Sequence, residues 1–325
     1  MTGAARWGVV GGAGFIGGHV VDRLLSDPST MAVTVYDNFS SGRDWHLAAH
    51  DHDQRLRIIR ADVSDLACLA DALRGCEAVV HLASNPDIAR AMTEPAVDFD
   101  EGTLLTHHVV EACRIAGAQL LLYASGSGVY GDLGEVEAHE DMGPLLPVST
   151  YGASKLAGEA LICSYCHMFG LRARAFRFGN VVGPRQTHGV GYDFVRRLLA
   201  DGTSLRILGD GSQSKSYVHV VDIVDAIFRA ADWGSEPFVV FNVATGDYIT
   251  VKEIADIVVH EIGLEPGDVS YEYTGGDRGW KGDVPVVRLS TERIRSTGWS
   301  NTRSSGEAMR EAVVAMIPEA REGRR

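Results

Sequence analysis

Gly11-Gly12-Ala13-Gly14-Phe15-Ile16-Gly17 follows a short apolar run at 7–10 and opens an amphipathic run at 15–25. Glycines here let the backbone turn tightly and come close to a pyrophosphate, and a helix N-terminus behind them offers unpaired N–H groups. A bare glycine pattern is common in turns. The strand before it, the helix after it and Asp37, twenty residues beyond Gly17, make this one a dinucleotide-binding pattern. Asp37 would accept hydrogen bonds from ribose hydroxyls and repel a 2′-phosphate, so NAD is the expected cofactor rather than NADP. Gly11, Gly14, Phe15, Ile16 and Gly17 are the expected loop contacts.

Further apolar runs at 33–36, 56–59, 78–82 and 120–124 are short, continuous and rich in Val, Ile and Leu, as strands buried on both faces should be. Helical patterns lie between them at 65–73, with Ser64 as cap, and at 103–115. This alternation predicts an α/β fold, a Rossmann-type doubly wound parallel sheet. Asp62, Val63, Leu82, Ala83 and Ser84 follow strands at their carboxyl ends, where ligands bind in such sheets. Beyond a strand at 172–178 the pattern changes. Glycine loops, short strands (205–207, 238–243, 269–273) and helices (194–200, 221–231, 251–262) predict a smaller C-terminal α/β lobe for substrate. The expected division is residues 1–180 and 181–325, with some later segments returning to the first unit.

The chain has 325 residues and a formal net charge of −13. That balance leaves no broad positive face for a phosphate backbone, so no nucleic-acid partner is expected. No apolar run approaches the roughly 20 residues of a membrane span, and glycines interrupt the stretch after Arg6 where a signal peptide would be apolar. A cytoplasmic protein with reduced thiols is expected. Cys163-Ser-Tyr-Cys166-His167 matches the spacing of covalent haem attachment. It lies in a helical pattern where both cysteines share a face, which favours buried thiols. No metal site is expected.

Tyr151-Gly-Ala-Ser-Lys155 begins a helical run to 169, capped by Ser149 or Thr150. Positions i and i+4 share a face, so phenol and ammonium reach the same point. A free tyrosine ionises near pH ~10; a neighbouring cation favours its phenolate. The pair reads as a general base, Tyr151, with Lys155 as its electrostatic support.

With these motifs the chain resembles the extended short-chain dehydrogenase/reductase family, in its nucleotide-sugar epimerase and dehydratase branch. Carrying the resemblance are Gly11–Gly17, Asp37-Asn38, Asp62-Val63, His81-Leu82-Ala83-Ser84, Val129-Tyr130-Gly131, Tyr151/Lys155, Asn180 with Gly183-Pro184-Arg185, and the run from Tyr217 to Asp222. It implies a nucleotide-sugar substrate and a homodimer through the helices near 103–115 and 151–169. Further cofactor contacts are expected from Asn38, Ser40, Ser41, Gly42 and Phe178. Asn180, Lys215 and Arg278 are expected to grip the diphosphate, and Gly189 and Val190 to cover the nucleotide or sugar. Arg185 and His188 are placed where a sugar carboxylate could be met.

Departures from the family pattern bear on the reaction. A serine or threonine usually stands four residues before the tyrosine of Val129-Tyr130-Gly131; here that residue is Gly126. Ser125 or Ser127 must replace its hydroxyl, and Ser127 is the expected one. Lys215 and Ser216 stand where an Arg-Asp pair is common, and Phe99 where asparagine is frequent. Family dehydratases carry an Asp-Glu pair at the positions of Ser127 and Gly128, and decarboxylases keep a glutamate at the second. Neither residue here is an acid. The expected activity is therefore inversion of C4 in UDP-glucose/galactose or UDP-glucuronate/galacturonate. A dehydratase or decarboxylase with an acid from elsewhere, and a non-enzymatic binding protein, are the alternatives.

Overall fold

In the computed structural model, which describes residues 3–85 and 87–323, seven parallel strands form the centre: β1 (Arg6–Val10), β2 (Ala32–Asp37), β3 (Leu56–Arg60), β4 (Ala78–His81), β5 (Leu120–Gly126), β6 (Arg172–Phe178) and β7 (Phe238–Val243). Their spatial order is β7-β6-β5-β4-β1-β2-β3. The order reverses between β1 and β4, and a crevice opens there at the carboxyl ends. Strand β7, which the sequence pattern groups with the C-terminal lobe, is part of this sheet: it pairs with β6 from Phe238↔Ala173 to Val243↔Phe178.

Helix α1 (Phe15–Leu25) and helix α6 (Val220–Ala230) cover one face, burying Val20, Val21, Leu24, Ile223, Val224 and Ile227 with Trp299. The opposite face is covered by α2 (Leu66–Ala72), α3 (Leu105–Ala116) and α4 (Thr150–Phe169). The side chain of Asp65, rather than Ser64, caps α2 by accepting from the Cys68 N–H at 2.9 Å. A π-helical turn, Phe99–Leu104, precedes α3 and shifts its start to Leu105. Ser149 caps α4 and Gly170, at φ 75°, ends it. Cys163 and Cys166 lie within α4 as free thiols, Cys166 buried.

A third apolar cluster joins α5 (Val190–Ala200), α7 (Val251–Ile262) and α8 (Ser305–Arg321) to the parallel pair Ser204–Ile207 and Ser270–Tyr273. Capping boxes at Thr250/Glu253 and Ser304/Glu307 start α7 and α8.

Helix α4 crosses β5 at very close range. A Cβ on Gly158 would stand 2.4 Å from the Tyr123 hydroxyl oxygen. Gly158→Ala must therefore displace the buried Tyr123 ring or lift the helix, and we expect a loss of about 1–3 kcal/mol, read by chemical denaturation.

Candidate active site

The first glycine of the loop sits almost on the backbone of the neighbouring strand. Gly11 has φ 82°, and a Cβ there would lie 2.6 Å from the Ala83 nitrogen. A Cβ on Gly17 would lie 2.2 Å from the Gly11 oxygen. Only glycine permits this stacking of loop, helix and strand end. Asp37 ends β2, where its carboxylate accepts from the Ala13 N–H (2.9 Å) and the Phe39 N–H (2.7 Å). Burial pushes its pKa up, and these two hydrogen bonds act in the opposite direction. Asn38 donates to Asp62 at 2.7 Å, and the Ser64 N–H donates to the same carboxylate at 2.9 Å.

A cleft of about 1090 Å³ runs from this loop into the C-terminal lobe. Gly11, Gly14, Phe15, Ile16, Gly17, Asp37, Asn38, Ser40, Ser41, Asp62, Val63, Leu82, Ala83, Ser84 and Phe178 line one end. Ser125, Gly126, Ser127, Tyr151, Lys155, Asn180, Gly189, Val190 and Lys215 line the remainder. Three expected contacts, Gly42, Arg185 and Arg278, lie outside this lining. Gly42 packs beneath the loop, where a Cβ would lie 2.9 Å from both the Ala13 Cβ and an Asp37 oxygen. Arg278 lies outside the lining, its guanidinium donating to Asp132 (2.5 Å) and to the Asp283 carbonyl (2.6 Å). His108 lines the cleft and contacts the Val63 carbonyl at 3.1 Å.

Lys155 is buried, donates to the Ala124 carbonyl at 2.9 Å, and stands 5.5 Å from the centre of the Tyr151 ring. Burial pulls its pKa down to about 8. Burial likewise pushes the Tyr151 phenol up to about 12, and the negative charge of Asp98 adds to this. Asp98 and Asn85 have no sequence motif. Asp98 is 1% exposed and accepts from Asn85 (3.0 Å) and from the Thr150 hydroxyl (2.6 Å). Phe99, where the family often has asparagine, is turned outward at 59% exposure.

The two candidate serines diverge. Ser125 donates to Glu159 at 2.5 Å, and Glu159 is held by Arg177 in a buried ion pair (2.6 Å). Ser127 starts the 3-10 turn Ser127–Tyr130 and lines the cleft. At Gly126 a Cβ would meet nothing closer than the Tyr151 ring, at 4.0 Å. In the lobe, Lys215 pairs with Asp283 at 2.6 Å. Arg197 and Arg206 also line the cleft, unforeseen from motifs. The outward position of Arg206 between buried Leu205 and Ile207 was the available signal. Among the described residues no group of His, Cys, Asp and Glu side chains could hold a metal ion, and no helix is long and apolar enough to cross a membrane.

The profile of the NAD dependent epimerase/dehydratase family matches residues 7–244. The chain belongs to that family. A UDP-glucose 4-epimerase of Mycolicibacterium smegmatis is 33% identical over 94% of this chain and 96% of its own length. A crystal structure of a UDP-galactose 4-epimerase superposes with a TM-score of 0.85 at 35% identity, covering 97% of this chain and 99% of that one. A dTDP-glucose 4,6-dehydratase of Streptomyces venezuelae, solved with NAD bound, gives 0.88 at 28% identity, covering 98% of both. NAD is thus the cofactor of this epimerase/dehydratase. The glycine cradle, the Asp37 carboxylate and the length of the cleft fit it.

Asp37→Ala should weaken NAD binding and narrow the preference over NADP. Calorimetric titration of both dinucleotides checks this; unchanged discrimination would remove Asp37 from the ribose.

Proposed function

We propose that this enzyme inverts C4 of a nucleotide-activated hexose or hexuronate, either UDP-glucose/UDP-galactose or UDP-glucuronate/UDP-galacturonate. The observation that carries the reading is the turn facing Tyr151: Ser127 and Gly128 stand there with no carboxyl group to expel or protonate a C6 substituent. The similarity to UDP-sugar 4-epimerases supports it.

When bound, NAD supplies a site that accepts the C4 hydride and returns it. Tyr151 takes the O4 proton as hydride leaves C4, and gives it back at the end. Its phenol is held high by burial and Asp98, so the positive charge of Lys155 is needed to favour phenolate. Ser127 holds O4 beside the phenol. Asn180 and Lys215, the latter held in place by Asp283, grip the diphosphate while the 4-keto ring turns over. Gly126 leaves room beside Tyr151 for that rotation, and Gly189 and Val190 border the same space.

Incubation with UDP-glucose and UDP-glucuronate, followed by NMR, tests the proposal. The C4 epimer of one of them is expected; a 4-keto-6-deoxy product or loss of CO₂ would overturn it. Tyr151→Phe should retain NAD and lose roughly 10²–10⁴ in rate. In Lys155→Met the acid limb of the pH–rate profile should move to higher pH by about 1–3 units.

Ser127→Ala should cost about ten-fold or more in kcat, roughly 1.4 kcal/mol. Ser125→Ala should instead lower stability, because it strips a partner from the Glu159–Arg177 pair. Full activity in Ser127→Ala would defeat the assignment.

We also propose that the enzyme is a homodimer through α3 and α4. Exposed Leu104, Ile115, Met168 and Phe169 on and beside these helices support it. Light scattering should return twice the chain mass.

A further inference from the structure

Arg185 points away from the cleft, so it is not placed to meet a sugar carboxylate. It lies in the loop that follows the short strand Asn180–Val182, one residue before Gln186, which lines the cleft. Its backbone has φ 67°, a region non-glycine residues seldom occupy, and its N–H donates to Glu319 of α8 at 3.2 Å. Such strain persists only where surrounding contacts impose it.

The guanidinium supplies those contacts. One arm donates to the His46 carbonyl at 2.8 Å; the other reaches His19 Nδ1 at 2.8 Å and the Asp22 carboxylate. His19 completes the circuit by bonding the Pro184 carbonyl through Nε2 at 3.0 Å. Both contacts fit a neutral imidazole, whose pKa burial and Arg185 bring down to about 4. His46 in turn donates from Nδ1 to the carbonyl of Ala13, in the glycine loop, at 2.7 Å. The other end of that residue, its N–H, is held by Asp37. The Ala13 backbone is thus fixed from both sides: its carbonyl accepts from the Arg43 N–H at 2.9 Å and from His46, and the His46 part of that hold is the one Arg185 braces.

We propose that Arg185 is a positioning residue that latches the substrate-side loop to the glycine loop, so that NAD affinity depends on a side chain outside the cleft. The fork geometry matters as well as the charge, because two arms must reach His46, His19 and Asp22 together. The proposal rests on NAD as cofactor and is independent of which sugar reacts.

The test titrates NAD into nucleotide-stripped full-length enzyme, wild type, Arg185→Gln and Arg185→Lys, with melting temperatures recorded alongside. Arg185→Gln is expected to bind NAD about ten-fold or more weakly, the size of losing hydrogen bonds from a charged donor. The loss should fall on NAD affinity far more than on kcat under saturating NAD. Arg185→Lys keeps the charge beside Asp22 but not the fork, and should remain weak. Wild-type NAD affinity in Arg185→Lys, or in a folded Arg185→Gln, would overturn the proposal. Should Arg185→Gln fail to fold, the lysine variant decides the matter alone.

Discussion

Helix α4 touches β5 across a single missing Cβ, and much of the active site follows from that contact. Gly158 lets the helix settle against Tyr123. Along one face, Tyr151, Lys155 and Glu159 then meet the carboxyl end of the strand in successive turns. Lys155 reaches the Ala124 carbonyl, and Glu159 takes the Ser125 hydroxyl. A helix held further off would leave the ammonium without its carbonyl, and would carry Tyr151 and Lys155, a turn apart on the same helix, away from the strand end together. The reach of Tyr151 is therefore decided two turns away from it.

Burial of these groups sets opposing demands. Desolvation disfavours charge on both Tyr151 and Lys155, raising one pKa and lowering the other. Asp98 resists ionisation of the tyrosine while favouring the charged lysine. The ligand-free pocket therefore stores a neutral phenol beside an ammonium. On the proposed reading, a cationic nicotinamide bound beside Tyr151 would add to the Lys155 charge in favouring the phenolate.

What the sequence made legible was local. The glycine loop, Asp37 and the Tyr151/Lys155 spacing each fall within one β-α unit or one helix turn, where chain distance and spatial distance agree. Long-range pairings were not legible. Asp98 meets Thr150 across 52 residues, and Lys215 meets Asp283 across 68. The run at 238–243 reads as a strand, yet nothing within it names β6 as its neighbour. Arg185 stood in a familiar motif, but a left-handed backbone turned its side chain to α1. The serines illustrate the same limit. Alternation along a strand would put Ser125 and Ser127 on one face, but the chain enters a 3-10 turn at Ser127 and the two separate.

The open space at Gly126 changes how this pocket can choose its substrate. A wall bearing a hydroxyl reads chemistry: it rejects a ligand lacking the matching group, because a buried polar atom is left unpaired. A bare glycine reads only volume, and volume discriminates weakly. If the reacting carbon sits beside Tyr151, as proposed, the pocket is tolerant at this one point. On the proposed reading, selectivity would come from Ser127 at O4 and from the grip on the nucleotide further along the cleft.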